Sequence, residues 1–290
     1  MKPQFSLCSR EWSSFLYPSL TFSKRVALAF GVLLWSTVSP LVAAQVYVSI
    51  SAGGDRYLRP SVVHTCAVLE TGVVQCWGAN TSGQLGTGDT FDSAVPVRVM
   101  GLIGATKVAA GYSHSCALLA TGGVRCWGDG SRGQLGNASS FDSPVPVAVN
   151  GITTAVAIAA GQSHTCARLS DGSIRCWGSN SFGQLGDGSS TTTNVPVVVS
   201  GINTATSLAA GANHTCATLA SGAAMCWGLN GDGTIGDGTT TTRLIPTAVT
   251  GVSNAIDIAA GRQHSCVVLG SGGAQCWGFN QSGVLGNGTT

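Results

Sequence analysis

The chain has 290 residues, of which 9% are charged and 41 are glycine, so its surface is mostly uncharged polar side chains and glycine; ordinary soluble domains carry about 25% charge. Its 14 basic and 12 acidic residues fall to 10 and 11 once residues 1–44 are set aside, and Lys107 is then the sole lysine. No basic stripe is left to neutralise phosphates, so nucleic acid is not an expected partner, and evenly spaced Val, Ile, Leu, Ala and Trp argue against disorder.

Residues 1–44 differ from the rest. Lys24-Arg25 precede the apolar run VALAFGVLLW, and STVSPLVAA brings small residues up to Gln45. That order of charge, apolar run and small residues predicts a secretory signal peptide ending at Ala44. The alternative is an uncleaved membrane anchor over roughly Val26 to Val48, which is long enough to span. Either reading predicts a secreted or cell-surface protein, and contact with a membrane only if the segment is an anchor.

From residue 45 to 290 the chain repeats. Cys-Trp-Gly recurs at Cys76, Cys126, Cys176, Cys226 and Cys276, and His-x-Cys at His64, His114, His164, His214 and His264, with a period of 50. A catalytic centre normally occurs once, whereas a structural unit recurs whenever a fold is built by repetition. Within a unit four short apolar segments alternate with turn residues, as in VPVAVNGI (145 to 152), AVAIAAG (155 to 161), HTCARL (164 to 169) and SIRCWG (173 to 178). Helical spacing is absent, and four short strands per unit predict an all-β fold, a β-propeller of five four-stranded blades.

Ser170-Asp171-Gly172 suits a three-residue hairpin with glycine in the left-handed position. That loop pairs 169 with 173 and so sets Cys166 opposite Cys176 in a non-hydrogen-bonded pair, about 4.5 Å apart at Cα. In an oxidising compartment this predicts the disulfides Cys66-Cys76, Cys116-Cys126, Cys166-Cys176, Cys216-Cys226 and Cys266-Cys276. Alternation of side chains puts Trp177 on the opposite sheet face from Cys176. His164, Cys166 and Cys176 would also bring three zinc ligands together, but no fourth recurs and oxidation removes two. The histidine is therefore read as structural, bonded to neighbouring backbone, and neither metal nor cofactor is expected.

The run AAG-x-x-H-[ST]-C-A-x-L-x-x-G-x-x-x-C-W-G-x-N-x-x-G-Q-L-G-x-G, followed by VPVxVxG, resembles the regulator of chromosome condensation (RCC1-type) repeat over about residues 46 to 290. The resemblance implies propellers, commonly of seven blades, each of four antiparallel strands. Five units here leave three arrangements: a ring completed by VYVSI, an open arc, or part of a longer assembly. Family members include a nuclear exchange factor for a small GTPase and a secreted bacterial β-lactamase inhibitor that binds through loops at one end. The predicted setting favours the secreted bacterial type and disfavours nucleotide exchange.

Function is expected where copies differ, on the loops. An insertion in the first copy brings Arg56, Tyr57 and Arg59; the equivalent loops elsewhere carry Tyr112, Gln162, Ala212 and Arg262; the turn after Trp-Gly holds Arg132, Phe182, Asp232 and Ser282. Exposed aromatics and arginines are what binding hot spots favour. Arg56, Tyr57, Arg59, Tyr112, Arg132, Phe182 and Arg262 are the candidate binding residues, and Arg168 with Phe182 sets the third copy apart. The function expected is a binding module for an extracellular protein or glycan. The competing readings are a propeller hydrolase or lyase and a purely structural repeat; an enzyme is disfavoured because Glu70 is the only His or Glu outside the repeated positions of residues 45 to 290.

Overall fold

In a computed structural model, residues 45–54 and 63–290 are described; the expected leader therefore lies outside the described residues. Nineteen strands form five sheets. The first blade has β1 (Tyr47–Gly53), β2 (His64–Leu69), β3 (Val74–Gly78) and β4 (Ser93–Arg98) in that order, all antiparallel. Blades two to four repeat it with β5 to β8, β9 to β12 and β13 to β16, and blade five holds β17 (Ala255–Ala260), β18 (His264–Leu269) and β19 (Ala274–Gly278). No helix of the described residues is long and apolar enough to cross a membrane.

The strands fall where the apolar segments predict them, but the grouping differs. The VPV strand that opens each sequence unit is the outer strand of the preceding blade: β8 (Ser143–Ala148) pairs with β7 (Val124–Gly128), not with β9 (Ala155–Ala160). The Gly-Ile turn after it carries the chain to the next blade, so the repeat as read from the sequence straddles two sheets. VYVSI likewise lies in and beside β1, the inner strand of blade one, and closes no ring.

The hairpin register is the predicted one. Arg168 faces Ile174, Ala167 faces Arg175 and Cys166 faces Cys176, with the turn closed by Leu169 N–H to the Ser173 carbonyl at 2.9 Å. Gly172 takes φ +79°, the left-handed conformation a β-carbon disfavours. All five disulfides are present, with Cα atoms 4.0 to 4.1 Å apart. Cys166 and Cys176 pack with Ile174 and Ala217 toward blade four, while Trp177 packs with Leu135 and Cys126 of blade two. Blades two to four thus each present a disulfide to one neighbour and an indole to the other. Trp127, Trp177 and Trp227 are fully buried, which by area contributes roughly 4–6 kcal/mol each. In the oxidised protein, replacing Cys166 and Cys176 together by alanine is expected to lower stability by roughly 2–3 kcal/mol, read as a shift in the urea unfolding midpoint; an unchanged midpoint would show the staple to be idle.

Along the inner belt, Tyr112 N–H bonds the Gln162 carbonyl, Gln162 N–H the Ala212 carbonyl and Ala212 N–H the Arg262 carbonyl, at 3.1 to 3.2 Å. Nothing among the described residues carries this belt from blade five back to blade one. Trp277 and Cys276, whose counterparts in blades two to four are fully buried, are partly exposed. The described blades form an open arc.

Candidate binding face

Because neighbouring strands run antiparallel, β1 ends, β2 begins, β3 ends and β4 begins at one end of each blade. The inner loops and the turns after Trp-Gly therefore share a face. In blades four and five they touch, Gln263 Nε2 donating to Asp232 Oδ2 at 2.9 Å.

The blade joints behind this face are built from the repeated histidines. His64, His114, His164 and His214 each place Nε2 2.8 to 2.9 Å from a hydroxyl on the next blade, those of Ser115, Thr165, Thr215 and Ser265. The same hydroxyls donate to the carbonyls of Gln84, Gln134, Gln184 and Thr234. A hydroxyl has one proton to give, so it accepts from the imidazole, and the proton sits on Nε2. The indole Nε1 of Trp127, Trp177, Trp227 and Trp277 donates to those same carbonyls. Each joint is thus a relay from histidine to hydroxyl to carbonyl. The expected backbone partner of the histidine is replaced by a side chain, the Ser or Thr that precedes each cysteine.

Burial lowers the pKa of His114 to about 4, with Asp129 opposing and His64 reinforcing the shift. Burial, then the neighbouring His114 and His214, lower His164 to about 3, and burial followed by His264 lowers His214 to about 4. Burial thus holds these rings neutral at ordinary pH. With both cysteines of each hairpin oxidised, the His-Cys-Cys set has no thiolate to offer a metal.

In front of the joints the five inner loops converge on a cavity of about 220 Å³ lined by Gly53, Gly111, Gly161, Gly211 and Gly261 and by the variable side chains Tyr112, Gln162, Ala212 and Arg262. The sequence candidates Tyr112 and Arg262 are brought together here. Arg132 and Phe182 are exposed on the turns of the same face, outside the cavity. Arg56, Tyr57 and Arg59 lie outside the described residues. Arg168 stands on β10 (His164–Leu169), as its strand segment predicted, and reaches the Ala205 carbonyl of the next blade, so its distinctness serves packing.

In the loops at residues 86 to 93, 186 to 193 and 236 to 243 the aspartates serve their own turns. Asp89 accepts from the Phe91 amide and the Thr87 hydroxyl, and Asp187 from the Ser189 amide and hydroxyl. Burial alone would raise Asp237, but hydrogen bonds from Thr239, Arg243 and Asn230 outweigh it and hold its carboxyl at about 2.

Sequence reading passed over Phe91 and Phe141, which stand on this same end between β3 and β4 and between β7 and β8. They are 79% and 82% exposed, more than any other large apolar side chain among the described residues. The available signal was a Phe-Asp pair in copies one and two where copies three and four have Thr-Thr.

The solved structure of human WBSCR16 superposes with a TM-score of 0.70 at 24% identity, over 78% of this chain and 62% of that one. Yeast RCC1 (Prp20), solved bound to Kap60, gives 0.69 at 24% identity, over 78% of this chain and 56% of that one. At that identity the likeness is one of fold, and the chain spans less than two thirds of either structure. The ultraviolet-B receptor UVR8 of Arabidopsis thaliana is 50% identical over 50 residues, 17% of this chain and 11% of that protein. These findings correct the expected location: the RCC1-like proteins whose structures superpose here, human WBSCR16 and yeast RCC1 (Prp20), are intracellular, and the secreted or cell-surface assignment does not stand. The physical basis of that assignment was an apolar stretch running up to Ala44, and the family match enters that stretch. The RCC1-like domain profile covers residues 38–290, and with repeat, blade and joint all in accord the chain belongs to the RCC1-like domain family.

Proposed function

We propose that the protein is a non-catalytic protein-binding module whose recognition surface is the loop end of its blades. The observation that carries this reading is the cavity at the blade centre, where a repeated Ala-Gly scaffold holds four different side chains, Tyr112, Gln162, Ala212 and Arg262. Repetition fixes the frame and leaves only these positions to distinguish one ligand from another. A protein is favoured over a glycan because relatives of this fold engage proteins: yeast RCC1 was solved with Kap60, and Prp20p of Saccharomyces cerevisiae was studied for binding to Gsp1p and histones.

Catalysis is left out of the proposal because the repeated histidines are buried and tied into the blade joints. Nucleotide exchange stands as the second reading. Prp20p was studied with Gsp1p, and the objection that a secreted chain never meets a GTPase is gone.

Replacing Tyr112 and Arg262 together by alanine is expected to weaken capture of a protein partner by tenfold or more, about 1–2 kcal/mol for each hot-spot side chain, with the thermal midpoint unchanged. Cross-linking and co-purification with the tagged parent and variant would measure it. Equal recovery of every partner by the variant would remove the cavity from the binding surface, and release of GDP from a captured small GTPase would favour exchange.

A further inference from the structure

We propose that the Phe-Asp loops of blades one and two form a docking rim for a basic, arginine- or lysine-rich segment of a protein partner. This rests on the reading of the loop end as the recognition face and names the chemistry of what binds at its edge.

Phe91 and Phe141 occupy the same position on neighbouring blades, each followed by aspartate, and both rings are about four-fifths exposed. Single exposed apolar residues are ordinary, so the fold's own need for them decides the matter. Asp92 Oδ1 accepts the Asn80 amide at 2.7 Å and Asp142 Oδ1 the Gly130 amide at 3.0 Å. In blade three Thr192 Oγ1 accepts the Asn180 amide at 3.2 Å and closes the same loop, with Thr191 where the phenylalanine would stand. The loop closes without the ring or the carboxylate, so neither is required by the turn.

Charge then selects the partner. Asp89, Asp92, Asp129 and Asp142 stand on the loop end of these two blades against Arg132, and among the described residues none of the four is in an ion pair. Desolvation, together with the repulsion of Asp129, raises the Asp142 carboxyl above its ordinary pKa, and a bound cation would relieve that repulsion. An exposed aromatic face beside unpaired carboxylates attracts guanidinium and ammonium groups through the ring quadrupole and through charge.

The test is fluorescence anisotropy of a labelled arginine-rich peptide titrated with the full chain, beside a glutamate-rich control of equal length. Phe91→Thr with Phe141→Thr installs the residue that copies three and four already carry, so the arc should keep its thermal midpoint. Binding of the basic peptide is expected to weaken about tenfold in that variant, two exposed cation–π contacts being lost, and to weaken with salt in the parent. Phe91→Tyr with Phe141→Tyr keeps the rings and should bind as the parent does. Unchanged affinity in the threonine variant, or equal binding of the acidic peptide, would overturn the proposal. Tyr112→Ala with Arg262→Ala should leave peptide binding intact. A protein that loses its partner in that variant yet never binds the basic peptide would refute the rim while leaving the central reading standing.

Discussion

Gly161→Ala is expected to unfold the arc or to cost more than about 4 kcal/mol, the range reserved for changes the structure cannot absorb. The backbone of Gly161 is not left-handed, so the reason is space and not conformation. A β-carbon there would lie 2.1 Å from His164 Cε1 and 2.5 Å from the carbonyl oxygen of Gly211 on the next blade. Neither neighbour is a flexible tip: the imidazole is pinned to Thr215 at 2.9 Å, and the carbonyl is backbone next to Ala212, which the inner belt holds. Gly111 and Gly211 meet the same pair of obstacles from their own histidine and their own next blade. In blades two to four the glycine of Ala-Ala-Gly is thus the point where one blade's histidine and the next blade's backbone both press inward, whereas Gly261 meets only its own His264. Circular dichroism and a urea titration of the variant would measure the loss. A drop below about 1 kcal/mol, typical of an exposed glycine-to-alanine change, would show that the belt gives way more easily than its contacts imply. Gly151, with φ +67° and no atom within 4 Å of its would-be β-carbon, is the contrasting control; its alanine variant should pay only backbone strain.

The second large effect is with acid. His114, His164 and His214 have folded pKa values of about 4, 3 and 4 against an ordinary 6.5. Between those values the unfolded chain binds protons that the folded chain refuses, so stability is whole above pH 6.5 and falls as pH drops toward 4. Three such groups give a slope of about 4 kcal/mol per pH unit where all are engaged, against a total stability of roughly 5–15 kcal/mol for ordinary domains. Cooperative acid unfolding is expected above pH 4. Protonation would put a second N–H on each ring at Nδ1, which in His114 and His164 is buried with no partner. Denaturant midpoints measured from pH 7.5 to 4 would show the slope, and His164→Gln should reduce it by about one proton. A flat profile across that interval would mean that the rings gain access to water before the arc opens.

The sequence alone determined the strands and the central hairpin of the blade. Period 50, four apolar segments and a glycine at the hairpin position specify strand number and register, because a three-residue turn leaves only one partner for Cys166, and Cys176 is that partner. The opposed faces of Cys176 and Trp177 follow from the two-residue period of a strand. These conclusions are local, resting on residues within a few positions of one another. The charge argument from residues 1–44 was local as well, and it failed for location, since an apolar run leading into a repeat resembles a leader whichever compartment the protein occupies.

Only the tertiary structure decided what depends on residues 15 to 150 positions apart. It assigned the VPV strand to the preceding sheet, made Ser115 and Thr165 the partners of the preceding histidines, and turned Arg168 toward the Ala205 carbonyl of the next blade. It also gathered Tyr112 and Arg262 at one cavity and left Phe91 and Phe141 in solvent on neighbouring blades. A repeat reads the same in every copy, so its sequence shows which strands recur but not which blade a strand joins or a side chain faces. That is settled by packing one sheet on the next, where a hydroxyl on one strand finds a histidine on another only because both sheets twist and stack in a single sense.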